Sequence, residues 1–322
     1  WADYITPEID FKLTKKTLCK NNLMVLDIIA SNQWERPIYF ALTVSPSNHM
    51  GLQKYLQQCG MAYKFTPVEI PGLASLNKRI NTDEMYPIVM EKFRFGGIDK
   101  GNKMFFDPSA YGASLTLKYL NFERLAQYLM QESREAKAKA EQFANLDSAT
   151  AAMLGNQDFE KIAEEKQAKA LAVMDKMREK FPHSSFPYDY TMINSARMYS
   201  EAGRMDDANA ILDILSEISL DELRYYMMLC QDFDMVPQYL GDLMNEANSI
   251  GGIIYVAKKT GYKELEEKVI AETKALNQKY VQGKRAMDAE ISKYMKDKKT
   301  QRELVQRYTY ITDYPDLLTS LK

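Results

Sequence analysis

Two histidines, His49 and His183, and three cysteines, Cys19, Cys59 and Cys230, are the side chains best suited to nucleophilic or metal chemistry in this sequence. Covalent catalysis needs a thiol or hydroxyl held beside a base that takes its proton. His49 with Cys59 comes nearest to that, but no pattern between them fixes a geometry. A loop histidine and a buried free thiol account for the same residues. Three scattered cysteines build neither a disulfide framework nor a zinc cluster, and two distant histidines exclude a His-rich centre. Gly96-Gly97-Ile98-Asp99-Lys100-Gly101-Asn102-Lys103 has the glycines of a phosphate loop. However, Asn102 stands at the lysine position, Lys103 stands where Ser or Thr must bind magnesium, and no buried strand leads in. No G-x-G-x-x-G follows a strand, and residues 99–107 lack the ligand spacing of a calcium loop. Acidic residues are so abundant that a carboxylate pair cannot be singled out without coordinates. No catalytic, cofactor-binding or metal-binding residue is therefore assigned, and no cofactor is expected.

Binding chemistry is more legible. Phe186-Pro187-Tyr188-Asp189-Tyr190 is an aromatic cluster in which Pro187 fixes the entry into a helix. If that helix opens a helical repeat, Tyr190, Ile193, Arg197, Ser200 and Glu201 occupy the first-helix positions that line a solenoid's concave side. Such a face holds extended peptides through polar and aromatic contacts. The alternative is that Tyr188 and Tyr190 pack the core between repeats.

The elements that must position these residues predict an α+β chain, mostly α, in three parts. Residues 1–112 form a small α/β unit. Asn22 caps a helix over Leu23–Ala30 that is apolar on nearly every face, and so is expected to be buried. After Pro37, Ile38–Val44 reads as a strand, Gly51–Cys59 as a helix ended by Gly60, and Met61–Val68 as a second strand. That order implies a β–α–β crossover. A further helix covers Asp83–Phe93. Residues 113–283 read as tetratricopeptide-like antiparallel helical hairpins, with an insertion at about 145–163, and a plain helical bundle is the alternative. The best repeat runs from Asp189–Glu201 through the cap Gly203 into Met205–Ile218. There Met192, Ala196, Tyr199, Gly203, Ala208, Leu212 and Leu215 fit the large, small and turn positions of a unit of about 34 residues. An earlier copy over Asn121–Gln131 has Ser133 in place of the turn glycine. A third half-copy, Ala170-x3-Met174 ending at Phe181-Pro182, supplies a second helix and its terminal proline, and Asn245–Lys259, Gly261 and Tyr262–Tyr280 form another helix–glycine–helix. Residues 284–322 form a polar helical tail whose lysines read as a solvated face.

Composition removes whole classes of function. Hydrophobic residues at 46% and charged ones at 27% describe a globular protein, not a disordered chain. With 42 basic against 44 acidic residues, net charge −2, no global basic field draws the chain to nucleic acid or anionic lipid. No run approaches the ~18–20 apolar residues that span a bilayer. Trp1 in place of Met is what a piece of a longer protein, or a processed form, would show.

Leu26-Asp27-Ile28-Ile29-Ala30-Ser31-Asn32-x3-Arg36-Pro37-Ile38-Tyr39-Phe40-Ala41, with Gly51-Leu52-x2-Tyr55-Leu56-x3-Gly60-Met61-Ala62-Tyr63, resembles a known segment. It is similar to the region after the last membrane span in large multi-spanning proteins of Bacteroidetes related to protein O-mannosyltransferases. Phe122-x-Arg124-Leu125-Ala126, the Ala170 helix and the Phe186–Tyr190 cluster are similar to the helical tail of the same proteins. The resemblance covers most of the chain to about residue 260. It implies a membrane-embedded glycosyltransferase using a lipid-linked sugar, with a helical tail on the periplasmic side. The family's catalytic acid lies near the first membrane span, so no catalytic residue carries over to this chain. The implied role is accessory: docking an acceptor protein or peptide, or supporting the membrane-embedded part of the same chain. Asp147-Ser148-Ala149 looks like the acceptor signature of protein O-glycosylation in that group, which makes Ser148 a candidate modification site. Two other functions stay open: a free-standing periplasmic helical-repeat scaffold, and a small hydrolase or transferase built around His49.

Overall fold

A computed structural model describes residues 4–13, 17–69, 80–96, 108–144, 158–229 and 236–294. Ser148, most of the 96–103 glycine segment, Cys230 and the tail beyond 294 lie outside the described residues. The chain divides into two compact units, Trp1–Phe186 and Pro187–Lys322.

The first unit opens with helix α1, Lys20–Ser31. The backbone N–H of Cys19 donates to the Asn22 side-chain oxygen at 3.1 Å, so Asn22 caps the helix from inside its first turn and not from the position before it. Val25, Leu26 and Ile29 pack against the sheet core, whereas Leu23, Met24 and Ile28 are each more than half exposed. The expectation of all-round burial fails because one side of this helix lies on the sheet and the other is bare.

Strands β1 (Tyr39–Ala41), β2 (Leu56–Cys59) and β3 (Ala62–Phe65) form one antiparallel sheet in the order β1-β3-β2. The β–α–β crossover is thus overturned. Met50 and Gly51 both take left-handed backbone angles (φ 54° and 98°), and only the short 3-10 turn Leu52–Tyr55 follows before the chain extends. Leu56–Cys59 has helix-forming residues, but pairing with β3 across the Gly60 turn (φ +64°) prevails over that preference. Phe40, Tyr63, Phe65 and Leu56 close over Met50, Leu52 and Tyr55 as the core. The Tyr55 hydroxyl donates to the Asp10 carbonyl at 2.9 Å and accepts from the Asp10 N–H at 3.0 Å, which pins the N-terminal segment.

Helix α2 (Thr82–Pro87), capped by Asn81, runs into a π-helical turn at Ile88–Lys92. Helix α3 (Pro108–Leu117) passes through a second π-helical turn, Lys118–Glu123, into α4 (Arg124–Ala144). Helix α5, Phe159–Lys180, begins at the capping residue Asp158. It lies antiparallel to α4, because Phe122 meets Phe181 at one end and Lys139 meets Phe159 at the other. Ser133 is no turn residue. It is buried in the middle of α4, and its hydroxyl donates to the Ala163 carbonyl at 2.7 Å. A small hydroxylated side chain there lets the two helices approach closely and satisfies its own polar group.

The second unit holds α6 (Met192–Glu201), α7 (Met205–Leu229), α8 (Val236–Thr260) and α9 (Lys263–Tyr294). Gly203 (φ +79°) turns α6 into α7, and Gly261 (φ +73°) turns α8 into α9, each in the left-handed cap conformation that favours glycine. Ala208, Ile211, Leu212 and Leu215 are buried, as the repeat pattern requires. The hairpins stack first helix beside first helix and second beside second: Ile193 on α6 meets Gly252 on α8, and Arg224 on α7 reaches Glu272 on α9 at 3.6 Å. That is the tetratricopeptide-like arrangement. Helix α8 begins nine residues earlier than the expected Asn245, because the Val236-Pro237 start carries the first turn.

Candidate functional site

The α/β candidate is a packed core and not a reaction centre. His49 ends a short 3-10 turn and is 1% exposed, with its ring edge-on to Phe40 (5.5 Å) and Tyr63 (5.9 Å). Neither ring nitrogen has a hydrogen-bond partner, and burial pushes its pKa down, so the ring sits neutral. At the end of β2, burial followed by the charge of Glu84 pushes the Cys59 thiol up, away from thiolate. A neutral, unpartnered imidazole and a protonated thiol are the reverse of an activated pair. In the turn after α5, burial and then the charge of Lys118 push His183 down as well.

A different site forms in the second unit, where α6 and α8 run side by side. Tyr190, Ile193, Asn245, Asn248 and Ser249 line a pocket of about 320 Å³. Tyr190, at the entry to α6, is 65% exposed and stands at the pocket, while Tyr188 is buried at 7%. The two tyrosines therefore divide between the two readings that the sequence left open. Asn245 and Asn248, one turn apart on α8, present exposed carboxamides. Ser249 is buried, and its hydroxyl donates to the Asn245 carbonyl at 3.0 Å. Of the other residues expected on this face, Arg197 and Glu201 stand 4.0 Å apart as an i,i+4 pair farther along α6, and Ser200 is buried at 8% exposure. The structure thus brings Tyr190 and Ile193 to the pocket and encloses Ser200 in packing. Asn245, Asn248 and Ser249 fall within the expected helix Asn245–Lys259, but no local signal shows that their face meets α6.

Gly252 sets the width of this groove. A Cβ there would lie 3.1 Å from Ile193 Cδ1 and 3.2 Å from its Cγ2. Gly252→Ala is expected to be close to neutral, since better helix propensity, about 1 kcal/mol, offsets a small shift of Ile193. Gly252→Leu is expected to cost about 2 kcal/mol in chemical denaturation by overpacking. Adding Ile193→Ala should recover most of that loss, and an additive double mutant would sink this account.

The groove is lined by one aromatic, one aliphatic and three uncharged polar side chains. The carboxamides can donate to and accept from a peptide backbone, and the tyrosine and isoleucine can hold an apolar side chain. Fold and groove together define a helical-repeat domain following a small antiparallel α+β unit. Residues 2–84, which include α1 and all three strands, match the family described as TMEM260-associated domain 2. That region is therefore similar to TMEM260-like proteins, over less than half of the chain. No curated protein and no solved structure matches. No described helix is long and apolar enough to cross a membrane.

Proposed function

We propose that this chain is a non-catalytic accessory region on the periplasmic side of a membrane glycosyltransferase-like protein, related to protein O-mannosyltransferases. Its task is to hold an acceptor polypeptide in the α6–α8 groove, beside the membrane-embedded part of the same protein. The carrying observation is the pocket of about 320 Å³ whose lining is uncharged and pairs aromatic with carboxamide groups. Such a lining suits an extended, uncharged polypeptide backbone better than an acidic or basic motif. The match of residues 2–84 to a TMEM260-associated domain supports the membrane-protein setting. In this reading the segments 1–112, 113–283 and 284–322 act as an α+β base, a docking array and a polar tail, with Ser148 a site of O-glycosylation.

The test is a fluorescence-anisotropy titration of the chain with labelled uncharged peptides rich in Ser, Thr and Val. Tyr190→Ala and Asn248→Leu are each expected to weaken binding about tenfold, the loss of a contact worth about 1.4 kcal/mol. Arg197→Ala should matter less, because Glu201 already engages its charge. Peptide binding that ignores both groove substitutions would refute the reading.

A further inference from the structure

His49 is a buried polar side chain without polar company. Both of its ring nitrogens lack a hydrogen-bond partner, and the rings of Phe40 and Tyr63 stand edge-on to it. Such a site holds a neutral imidazole and rejects a charged one, because a buried cation needs a counter-charge or hydrogen bonds. The described residues offer neither. Phe40, Tyr63 and Gln58 lie opposite one another in register, so they share the sheet face that His49 meets. The Gln58 carboxamide oxygen accepts from Arg124 of α4 at 2.8 Å, and a second cation gives no help. Tyr39, Lys64 and Cys59 point to the opposite face, where Lys64 binds Glu84 at 3.1 Å. In the turn Leu52–Tyr55, Lys54 binds Glu69 at 3.0 Å and the Tyr55 hydroxyl reaches the same carboxylate at 3.2 Å. Helix α1 gives this core Val25, Leu26 and Ile29. Among the described residues, burial is thus the sole cause that pushes His49 down.

The segment that carries His49 has the features of a hinged strap. Ser45, Pro46 and Ser47 are exposed, and His49 and Met50 are its two buried side chains. Met50 and Gly51 take left-handed backbone angles (φ 54° and 98°) directly after His49, and that conformation is unfavourable for methionine. We propose that residues 45–51 are an acid-sensitive strap over the core of the first unit: a proton on His49 expels the ring into water, and Met50 leaves with it. Leu52 and Tyr55 belong to the same core cluster and lose cover when the strap lifts. Tyr55 pins the N-terminal segment at Asp10, so the loosening reaches that segment too. The closed state refuses a proton that the open state binds at the ordinary histidine value of 6.5. Closure is therefore most stable above that pH and weakens as pH falls toward the lower value of the closed state. The inference concerns the first unit alone and does not need the groove of the second.

Hydrogen exchange of the whole chain, read by mass spectrometry and corrected for the intrinsic rate at each pH, tests it. Residues 50–55 should exchange ahead of buried Leu125 in α4, and below about pH 6.5 their protection should fall by up to about tenfold per pH unit. His49→Phe keeps an aromatic ring and gains no proton, so its protection should stay flat over the same range. A second measurement needs no change in the core. The chain has two histidines, so His183→Gln leaves one imidazole signal in the NMR spectrum, and that signal should not titrate at 6.5 in the folded protein. It decides the matter if His49→Phe fails to fold. Four results would overturn the proposal: a His49 signal that titrates at its ordinary pH, protection that does not fall, an equal fall in His49→Phe, or exchange at 50–55 no faster than at Leu125. The last would mean that the first unit opens as a whole.

Discussion

Phe122→Ala is expected to destabilise the first unit by about 4 kcal/mol. Phe122 is fully enclosed in the second π-helical turn. Its ring centroid lies 6.4 Å from that of Phe93, 6.0 Å from Phe95 and 5.8 Å from Phe181, and Phe181 continues to Phe186 at 5.3 Å. Truncation removes the buried ring and breaks several edge contacts, each worth about 0.5–1.5 kcal/mol beyond area alone. A unit of this size should lose about 10 °C in melting temperature. Phe122→Leu keeps most of the volume and should cost about 1.5 kcal/mol. Urea denaturation followed by circular dichroism measures both, and an alanine variant within 1 kcal/mol of the parent would mean that the ring is not close-packed.

Stability of the second unit is expected to fall as pH rises from about 4.5 to about 7, and Glu246→Gln should abolish most of that fall. Glu246 on α8 faces Ser219 and Glu222 on α7, with Asp242 one turn away on its own helix. Burial first, then the Glu222 charge and a hydrogen bond to that carboxyl, push Glu246 from 4.5 up to about 7, against a smaller opposing effect of Ser219. The folded protein therefore keeps a proton that the unfolded chain releases near 4.5. Its stabilising effect is complete below that pH and is lost as pH passes through about 7. Full enclosure would make this about 3 kcal/mol. Glu246 is only half-buried, so solvent screening reduces the expectation to about 1 kcal/mol. Glutamine keeps the shape and the hydrogen-bonding capacity without the charge. It should raise the melting temperature by about 4 °C at pH 8 and leave it unchanged at pH 4. Equal melting temperatures at pH 8 would show that the two glutamates do not share a proton in the folded state.

What was legible in the sequence follows from short-range physics. Gly203 and Gly261 mark helix ends because a left-handed cap favours glycine, and Ala208, Leu212 and Leu215 mark a buried face because helical spacing is set by the backbone. Helical spacing likewise sets exposed Tyr190 and half-buried Ile193 on one side at the start of α6, and of the five residues expected there only these two line the pocket. Local pattern also left His49 and Cys59 without a fixed role.

Partners distant in sequence decided the rest. Leu56–Cys59 is a strand because β3 offers it a pairing edge, although its own residues favour a helix. Ser133 belongs to the middle of a helix because the Ala163 carbonyl lies opposite, 30 residues away. Asn245 and Asn248 became groove residues only when α8 came to rest beside α6 at the close approach of Gly252 and Ile193. Helix α1 has the same apolar character on both sides. Composition cannot say which side meets the sheet and which stays bare, since that depends on the one surface the helix finds to cover.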